Sequence, residues 1–550
     1  MANRPGHFSF GQIHEAIAAT RPDEPCLVFR DLRLSWQDVT DRTRRLANFL
    51  HSQGLGCHTD RAALEGHQSG QDHLGIYLHN GNEYLETMLG AFKARVAPLN
   101  VNYRYVAEEL RYVLNDARAA GVVVHSRFTP TLAQVVAEIP TIRIIVQVPD
   151  DSHHELLPGA VWYNDALAAG SLAPVPVSPS GDDLYILYTG GTTGMPKGVL
   201  WQNGDAVSEC FGGSASAQTL ADYANAAGGN LRALLAPPFM HGASHWMSFR
   251  TWLAGGTVFI QDRPERLDPA DIWDLVQREK INFLLIVGDA FARPLLDELD
   301  RNSYDLSSLN VLLSGGASLS VQLKQAFLRQ LPTVMIVDGL GSSEAGGQAS
   351  HVSAGRAAST GSFTLNAGNE VLSGALDRVL VRGEQDLGWL AKRGRLALGY
   401  LGDEAKTKCT YPEIDGVRFA VPGDRAKLRA DGLVELRGRD SVTINSGGEK
   451  IFAEEVEAAV KAHPLVYDCV VAGRPSQRWG SEVVAIVKAQ DGMCISEDEL
   501  LTEAALHIAR YKLPKAIKFV NHIQRSPSGK ADYRWATTMA IRTHQKLPTT

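Results

Sequence analysis

At 550 residues, with 54 basic and 61 acidic side chains, the chain carries a formal charge of −7 and an isoelectric point near 6.2. That balance supplies no basic field for nucleic acid, while 44% apolar and 21% charged content is that of a globular protein. The length exceeds one ordinary core and calls for several domains. The six cysteines (Cys26, Cys57, Cys210, Cys409, Cys469 and Cys494) are scattered and form no CxxC pair. Reduced structural thiols are therefore expected, not a disulfide framework or a zinc site. Residues 1–10 have no apolar leader and no apolar run reaches membrane-spanning length, which predicts a cytoplasmic protein.

Residues 10–20 carry the apolar spacing of a helix, 26–29 and 32–35 read as short strands around a turn, and 36–52 as a longer helix with apolar Val39, Leu46 and Leu50. Residues 58–71 are polar, with Gly and His, which predicts an exposed loop. A buried strand at 74–78, helices at 83–95 and 107–116, and β-branched strands at 122–124 and 144–146 follow. This alternation predicts doubly wound α/β layers with parallel sheets.

The apolar run Leu184 to Tyr188 then breaks into Thr189-Gly190-Gly191-Thr192-Thr193-Gly194-Met195-Pro196-Lys197-Gly198 and resumes at Val199-Leu200-Trp201. Glycines let backbone N–H groups approach an anion, threonine hydroxyls add donors, and lysine adds mobile charge: the composition of a phosphate cradle. Pro196 before Lys197 and Gly198 after it exclude a Walker A loop. A Gly/Thr string taken alone is more often a plain surface turn, so the rest of the chain has to decide.

Strand-like runs at 231–236, 257–260, 283–287, 311–313 and 334–337 come next, with a helix at 270–279. Several of them enter small or polar loops: Pro237-Pro238-Phe239-Met240-His241-Gly242, Ser314-Gly315-Gly316-Ala317 and Asp338-Gly339-Leu340-Gly341-Ser342-Ser343-Glu344. Such loops mark the ligand edge of an open α/β sheet. From about Arg439 the pattern changes to an α+β unit, with helices at 453–462 and 497–511, strands at 468–472 and 483–488, and a further segment at 516–520. The expected division is a large α/β domain of doubly wound sheets at 1–438 and a small, mobile α+β domain at 439–550.

Taken together, these loops resemble those of the adenylate-forming superfamily, which holds acyl-coenzyme A synthetases, luciferases and nonribosomal adenylation domains. The resemblance runs over nearly the whole chain and rests on several motifs in order. Residues 189–198 resemble the family's phosphate loop, and Pro238-Phe239-Met240-His241-Gly242 its gate between ATP and acyl sites. Ser314-Gly315-Gly316-Ala317 resembles the adenine-side turn, and Gly339-Leu340-Gly341-Ser342-Ser343-Glu344 the loop that usually reads Gly-Tyr-Gly-x-Thr-Glu. Pro422-Gly423-Asp424 resembles Thr-Gly-Asp, Gly438-Arg439 the start of a hinge, and Ser526-Pro527-Ser528-Gly529-Lys530 the C-terminal lysine loop. Gly288-Asp289-Ala290-Phe291-Ala292-Arg293-Pro294, Ile444-Asn445-Ser446-Gly447-Gly448-Glu449-Lys450 and Arg525–Arg534 are similar to actinobacterial synthetases acting on bulky lipids such as steroid side-chain acids.

The resemblance implies that a carboxylate and ATP form an acyl-adenylate and pyrophosphate, after which a thiol displaces AMP. ATP, Mg²⁺ and coenzyme A are the implied cofactors. Thr192, Thr193, Gly194 and Lys197 would hold the β- and γ-phosphates, with Thr189, Gly191, Gly315, Gly316, Ala317, Gly339, Leu340, Gly341 and Ser342 around the nucleotide. Ser343 stands at the family's threonine position as a phosphate donor. Glu344 would bind the metal, a hard cation that prefers oxygen ligands, and Asp424 would accept bonds from the ribose hydroxyls. Arg439 would contact the nucleotide at the hinge, His241 would gate the acyl tunnel, and Lys530 would reach both carboxylate and α-phosphate. Rotation near residues 439–441 would swap Lys530 out and bring in Gly447 and Gly448, which would line a pantetheine tunnel. Leu340 replaces the aromatic that usually stacks on adenine, and Gly190 replaces a common serine.

His245, Trp246 and Phe249 follow the gate at helical spacing, a pattern more often plain core than pocket lining. Transfer of the acyl group to a carrier protein, hydrolysis of the adenylate, and a non-catalytic acyl-binding role are the alternatives. The acid is expected to be lipophilic (a long-chain fatty acid or a steroid side-chain acid), and its identity stays open, as do homodimer formation and peripheral membrane contact.

Overall fold

A computed structural model describes residues 6–189, 195–214, 216–355, 358–359, 361–446, 449–476, 479–526 and 529–542. Local signals set the first elements. Ser9 and Gln12 form a reciprocal cap on the helix Phe10–Ala18, and Ser35 and Asp38 do the same for Trp36–Ser52. The apolar face of the latter helix (Trp36, Val39, Leu46, Leu50) is fully buried.

Among the described residues the chain forms three sheets, of fifteen, eight and five strands. In the largest, Pro25–Phe29, Thr257–Ile260, Arg232–Leu235, Phe283–Ile286, Val311–Gly315 and Met335–Ser342 lie side by side and parallel. The second sheet runs parallel from Leu184–Thr189 through Ala97–Asn100, His73–Tyr77, Ala119–His125 and Ile144–Val148. The third holds Thr443–Ser446, Glu449–Phe452, Val466–Ser476, Gly480–Ala489 and Ala516–Phe519. Strand Val434–Arg439 still belongs to the first sheet, so the chain crosses between sheets at the 3₁₀ turn Asp440–Val442.

Two stretches differ from expectation. The loop expected at 339–344 is mostly strand: Met335–Ser342 pairs antiparallel with Gly346–Ser353, with a register shift at Leu340/Gly341. Its glycines and serines carry no apolar alternation, yet the partner strand supplies the backbone bonds. Among the described residues between Gly346 and Arg439, nine strands of two to eight residues escape the sequence reading; all but one are six residues or fewer and carry little or no period. The helix expected at 497–511 ends at His507 and continues as a 3₁₀ turn, Arg510–Lys512.

All six cysteines are unbridged. Among the described residues, no helix is long and apolar enough to cross a membrane.

His14, His73, His79 and His245 are buried in this framework. Burial is the main cause holding each imidazole below its ordinary value, His79 at about 3 and His245 at about 4. An imidazole lowered in the fold takes up its proton only on unfolding. The stability it contributes is complete above its unfolded value near 6.5 and is lost as pH falls toward the folded value, at up to about 1.4 kcal/mol per pH unit per group. The thermal midpoint should therefore fall between about pH 7 and about pH 5, and His245→Gln should flatten that slope. An identical slope in the variant would contradict this.

Candidate active site

The hairpin of Leu184–Thr189 and Lys197–Gln202 carries the glycine–threonine loop at its tip, with Thr189 opposite Lys197. The expected phosphate-loop residues Gly191, Thr192, Thr193 and Gly194, with Gly190, lie outside the described residues, as do Gly447 and Gly448. Lys197 is ion-paired with Asp403, whose other oxygen accepts from the Lys406 N–H at 2.8 Å. The Asp403 carboxylate raises the Lys197 pKa above its usual range, so the ammonium stays charged at the loop's edge.

Glu344 follows the strand Met335–Ser342. Its Oε1 accepts from the Tyr400 hydroxyl at 2.8 Å, and its carbonyl accepts from the Tyr411 hydroxyl at 3.3 Å. Ser342 Oγ accepts from the Ala345 N–H at 3.1 Å and so shapes the turn. Trp201 Nε1 donates to the Ser343 carbonyl at 2.8 Å, tying the turn to the phosphate-loop hairpin. Leu340 packs against the apolar cluster of Val371, Leu390 and Val434. Tyr400, Tyr411 and Asp403 have no motif that marks them in the sequence; they reach the site through long-range contacts. One Glu344 oxygen remains after Tyr400 is served, and a hard carboxylate oxygen is the donor that an ion such as Mg²⁺ would take.

Asp424 and Arg439 face each other across paired strands, with Arg439 Nε 3.2 Å from Asp424 Oδ1. Asp424 is buried. Its charge is the main cause raising the Arg439 pKa, and Glu344 adds to it. The Arg439 N–H donates to Glu454 Oε2 at 3.1 Å.

Lys530 arrives from beyond the third sheet. Its loop is closed locally: Ser526 N–H donates to the Lys530 carbonyl at 2.9 Å, and Lys530 N–H donates to Ser526 Oγ at 3.2 Å. The lysine side chain lies across the Gly315-Gly316-Ala317 turn, where a methyl built on Gly316 would sit 3.3 Å from Lys530 Cε. Lys530 is exposed. Desolvation of its ammonium by the protein nearby lowers its pKa first, Arg439 lowers it further, and Glu344 and Asp424 oppose them. Gly316 has φ +87°, a left-handed conformation that a side chain strains. Gly316→Ala should slow acyl-adenylate formation about tenfold, the equivalent of about 1.4 kcal/mol. A wild-type rate in pyrophosphate exchange would show that Lys530 does not work from this position.

His241 precedes the helix Gly242–Leu253. Its Nε2 is buried without a hydrogen-bond partner among the described residues, a cost of about 1–3 kcal/mol that an incoming polar group would relieve. Burial and then the Lys530 charge hold this imidazole at about 3, so it works in the neutral form. Two asparagines fix the gate. Asn80 accepts from Phe239 N–H at 2.6 Å and donates to the Pro237 carbonyl at 3.1 Å. Asn100 donates to the Met240 carbonyl at 2.7 Å and to the Tyr188 carbonyl at 2.8 Å, linking gate and phosphate-loop strand.

Of the three side chains after the gate, Phe249 is core, packed with Phe10 and Phe211. His245 bonds the Phe239 carbonyl through Nδ1, which must therefore carry the proton, and its Nε2 accepts from the Tyr185 hydroxyl. Trp246, half-buried, donates to Tyr185 at 2.9 Å and presents a fixed indole beside Gly242. A cleft of about 460 Å³ opens between the sheets, lined by Arg104, Pro238, Arg266, Phe291, Lys488 and His522 among others.

Against known proteins, residues 14–401 match the AMP-binding enzyme family and residues 455–530 its C-terminal domain. A medium-chain acyl-CoA ligase, Mig, of Mycobacterium avium is 49% identical over 97% of this chain and 98% of its own. A 3-oxocholest-4-en-26-oate–CoA ligase of Rhodococcus rhodochrous is 38% identical over 94% of this chain and 93% of its own. The crystal structure of the anthranilate CoA ligase AuaEII in complex with anthranoyl-AMP superposes with a TM-score of 0.81 at 21% identity, covering 98% of both chains. ATP-bound MatB from Rhodopseudomonas palustris gives 0.79 at 24% identity over 96% of this chain and 99% of its own. These two likenesses are of fold.

Proposed function

Because the chain belongs to the AMP-binding enzyme family, we infer that it is an ATP-dependent acyl-CoA synthetase that activates a lipophilic carboxylic acid through an acyl-adenylate. A carboxylate oxygen attacks the α-phosphorus and pyrophosphate leaves; the coenzyme A sulfur then attacks the carbonyl and AMP leaves with the oxygen it gained. The observation that carries this reading is the convergence at Gly316. Lys530, from one end of the chain, lies there in the field of Glu344, Asp424 and Arg439, and its charge reaches His241.

In the first step the Lys530 ammonium faces the charge that builds between carboxylate and α-phosphate, the largest kind of catalytic contribution. Asp424 keeps one oxygen for the ribose while Arg439 holds the other. Lys197 offers its charge to the leaving pyrophosphate. Glu344 would hold a Mg²⁺ that neutralises phosphate oxygens. His241 supplies a neutral polar wall at the acyl mouth.

For the second step, the chain beyond the turn Asp440–Val442 turns against the part before it, withdrawing Lys530 and presenting the loop at Gly447 and Gly448 to the pantetheine arm. Thioester formation with free coenzyme A, read by mass, separates that acceptor from a carrier protein.

The M. avium relative's name points to a medium-chain acid, and the Trp246 indole, fixed by Tyr185, gives the acyl site a rigid apolar wall. Short, medium and long fatty acids and a steroid side-chain acid, each given with ATP, Mg²⁺ and coenzyme A, test this by AMP release and by thioester mass. Turnover is expected to be highest on medium-chain acids. Absence of AMP with every acid would refute the reading.

A further inference from the structure

The stretch Gly288-Asp289-Ala290-Phe291-Ala292-Arg293-Pro294 stands out in the sequence, yet none of the chemistry above uses it. It opens the helix Gly288–Leu299 at the end of the strand Phe283–Ile286. Its first residues brace the turn under Lys530: Gly288 N–H donates to Ser314 Oγ at 3.0 Å and Asp289 N–H to the Ser318 carbonyl at 3.1 Å. Its next residues carry the lysine loop. A methyl built on Gly529, at φ +73°, would sit 3.2 Å from Ala290 Cβ and 3.3 Å from Phe291 Cδ2. Arg293 lies over the Tyr467 ring at 5.0 Å.

Asp289 is the centre of this seat. Its Oδ1 accepts from Ser320 N–H at 2.7 Å, and its Oδ2 pairs with Lys461 Nζ at 3.1 Å. Lys461 ends the helix Ala453–Lys461, which packs on the third sheet. The two side chains are only 12% and 8% exposed. Beside them Arg525 pairs with Asp468 at 2.7 Å and donates to the Gly529 carbonyl at 3.0 Å. Lys461 feels Asp289 and Asp468, both of which favour its charged form. A continuous run of charge thus links Asp289 to the backbone next to Lys530.

A buried ion pair adds little net stability over an apolar pair, but removing one partner is costly, and the pair fixes one arrangement. This one joins residue 289 to residue 461, so its energy is present only while the third sheet is docked as seen here. A contact made in one of two arrangements shifts the population toward it.

We propose that Asp289 and Lys461 are positioning residues that latch the lysine loop onto the Gly316 turn for adenylation and are released for thioester formation. This rests on the two-step reading above. Neither residue touches the reacting groups.

The test uses the full-length enzyme and follows the half-reactions separately: ATP–pyrophosphate exchange with the acid, and thioester formation from synthetic acyl-adenylate and coenzyme A. Lys461→Met and Asp289→Asn should lower the exchange kcat about tenfold or more while leaving the KM for ATP in place, since the docked fraction falls and nucleotide contacts remain. Thioester formation from the adenylate should persist at the wild-type rate, and Lys461→Arg should restore exchange. Asp289→Asn keeps an acceptor for Ser320 and so decides the matter if Lys461→Met misfolds. Unchanged exchange in Asp289→Asn, or equal losses in both half-reactions, would overturn the latch. Wild-type enzyme that performs neither half-reaction would instead overturn the two-step reading itself.

Discussion

Lys530→Ala is expected to reduce ATP–pyrophosphate exchange by at least about a hundredfold, the scale of losing one aligned electrostatic donor at a reacting centre. The lysine lies across Gly316, and Glu344 and Asp424 hold negative charge around it. No neighbouring ammonium takes its place: Lys197, paired with Asp403, serves the pyrophosphate side, and Lys461 is held by Asp289. Thioester formation from synthetic acyl-adenylate should survive the change, because the lysine serves only the first bond. Exchange near the wild-type rate would remove Lys530 from the mechanism; loss of both half-reactions would make it a structural residue.

Ser441→Pro is the second large effect. Ser441 sits in the 3₁₀ turn Asp440–Val442, just after Arg439 pairs with Asp424 and where the chain leaves the first sheet. Proline is tolerated in the first turn of a helix, so this arrangement should persist and adenylation with it. A fixed φ removes the freedom that a rotation about this turn requires. Thioester formation should therefore fall by about a hundredfold while pyrophosphate exchange stays near wild type. Equal loss in both would place the pivot elsewhere.

The sequence showed the frame wherever apolar runs were long enough to carry a period. The helices Trp36–Ser52 and Ala107–Asp116 and the strand Thr257–Ile260 have the bounds that their residues predict. It failed between Gly346 and Arg439, where strands such as Gly399–Tyr400 and Glu413–Ile414 are two residues long and owe their existence to neighbours. The site divides in the same way. Glu344, Asp424, Arg439 and Lys530 stand in ordered motifs, and the structure brings them together. The groups that hold them do not: Tyr400 on Glu344 is 56 residues away, and Asp403 on Lys197 is 206 away. Asn80 and Asn100 look like ordinary strand-end asparagines, and only the fold shows them clamping the gate. Ser342 carries a further lesson. Within the Ser342-Ser343 pair it is the first hydroxyl that caps the turn, which the motif alone does not say.

The most direct test of the adenylate route follows oxygen. Given a carboxylic acid labelled with oxygen-18 in its carboxylate, together with ATP, Mg²⁺ and coenzyme A, the enzyme should release AMP carrying a single labelled oxygen on its phosphate and form the acyl-CoA thioester. Unlabelled AMP alongside thioester, or ADP in place of AMP, would contradict the account.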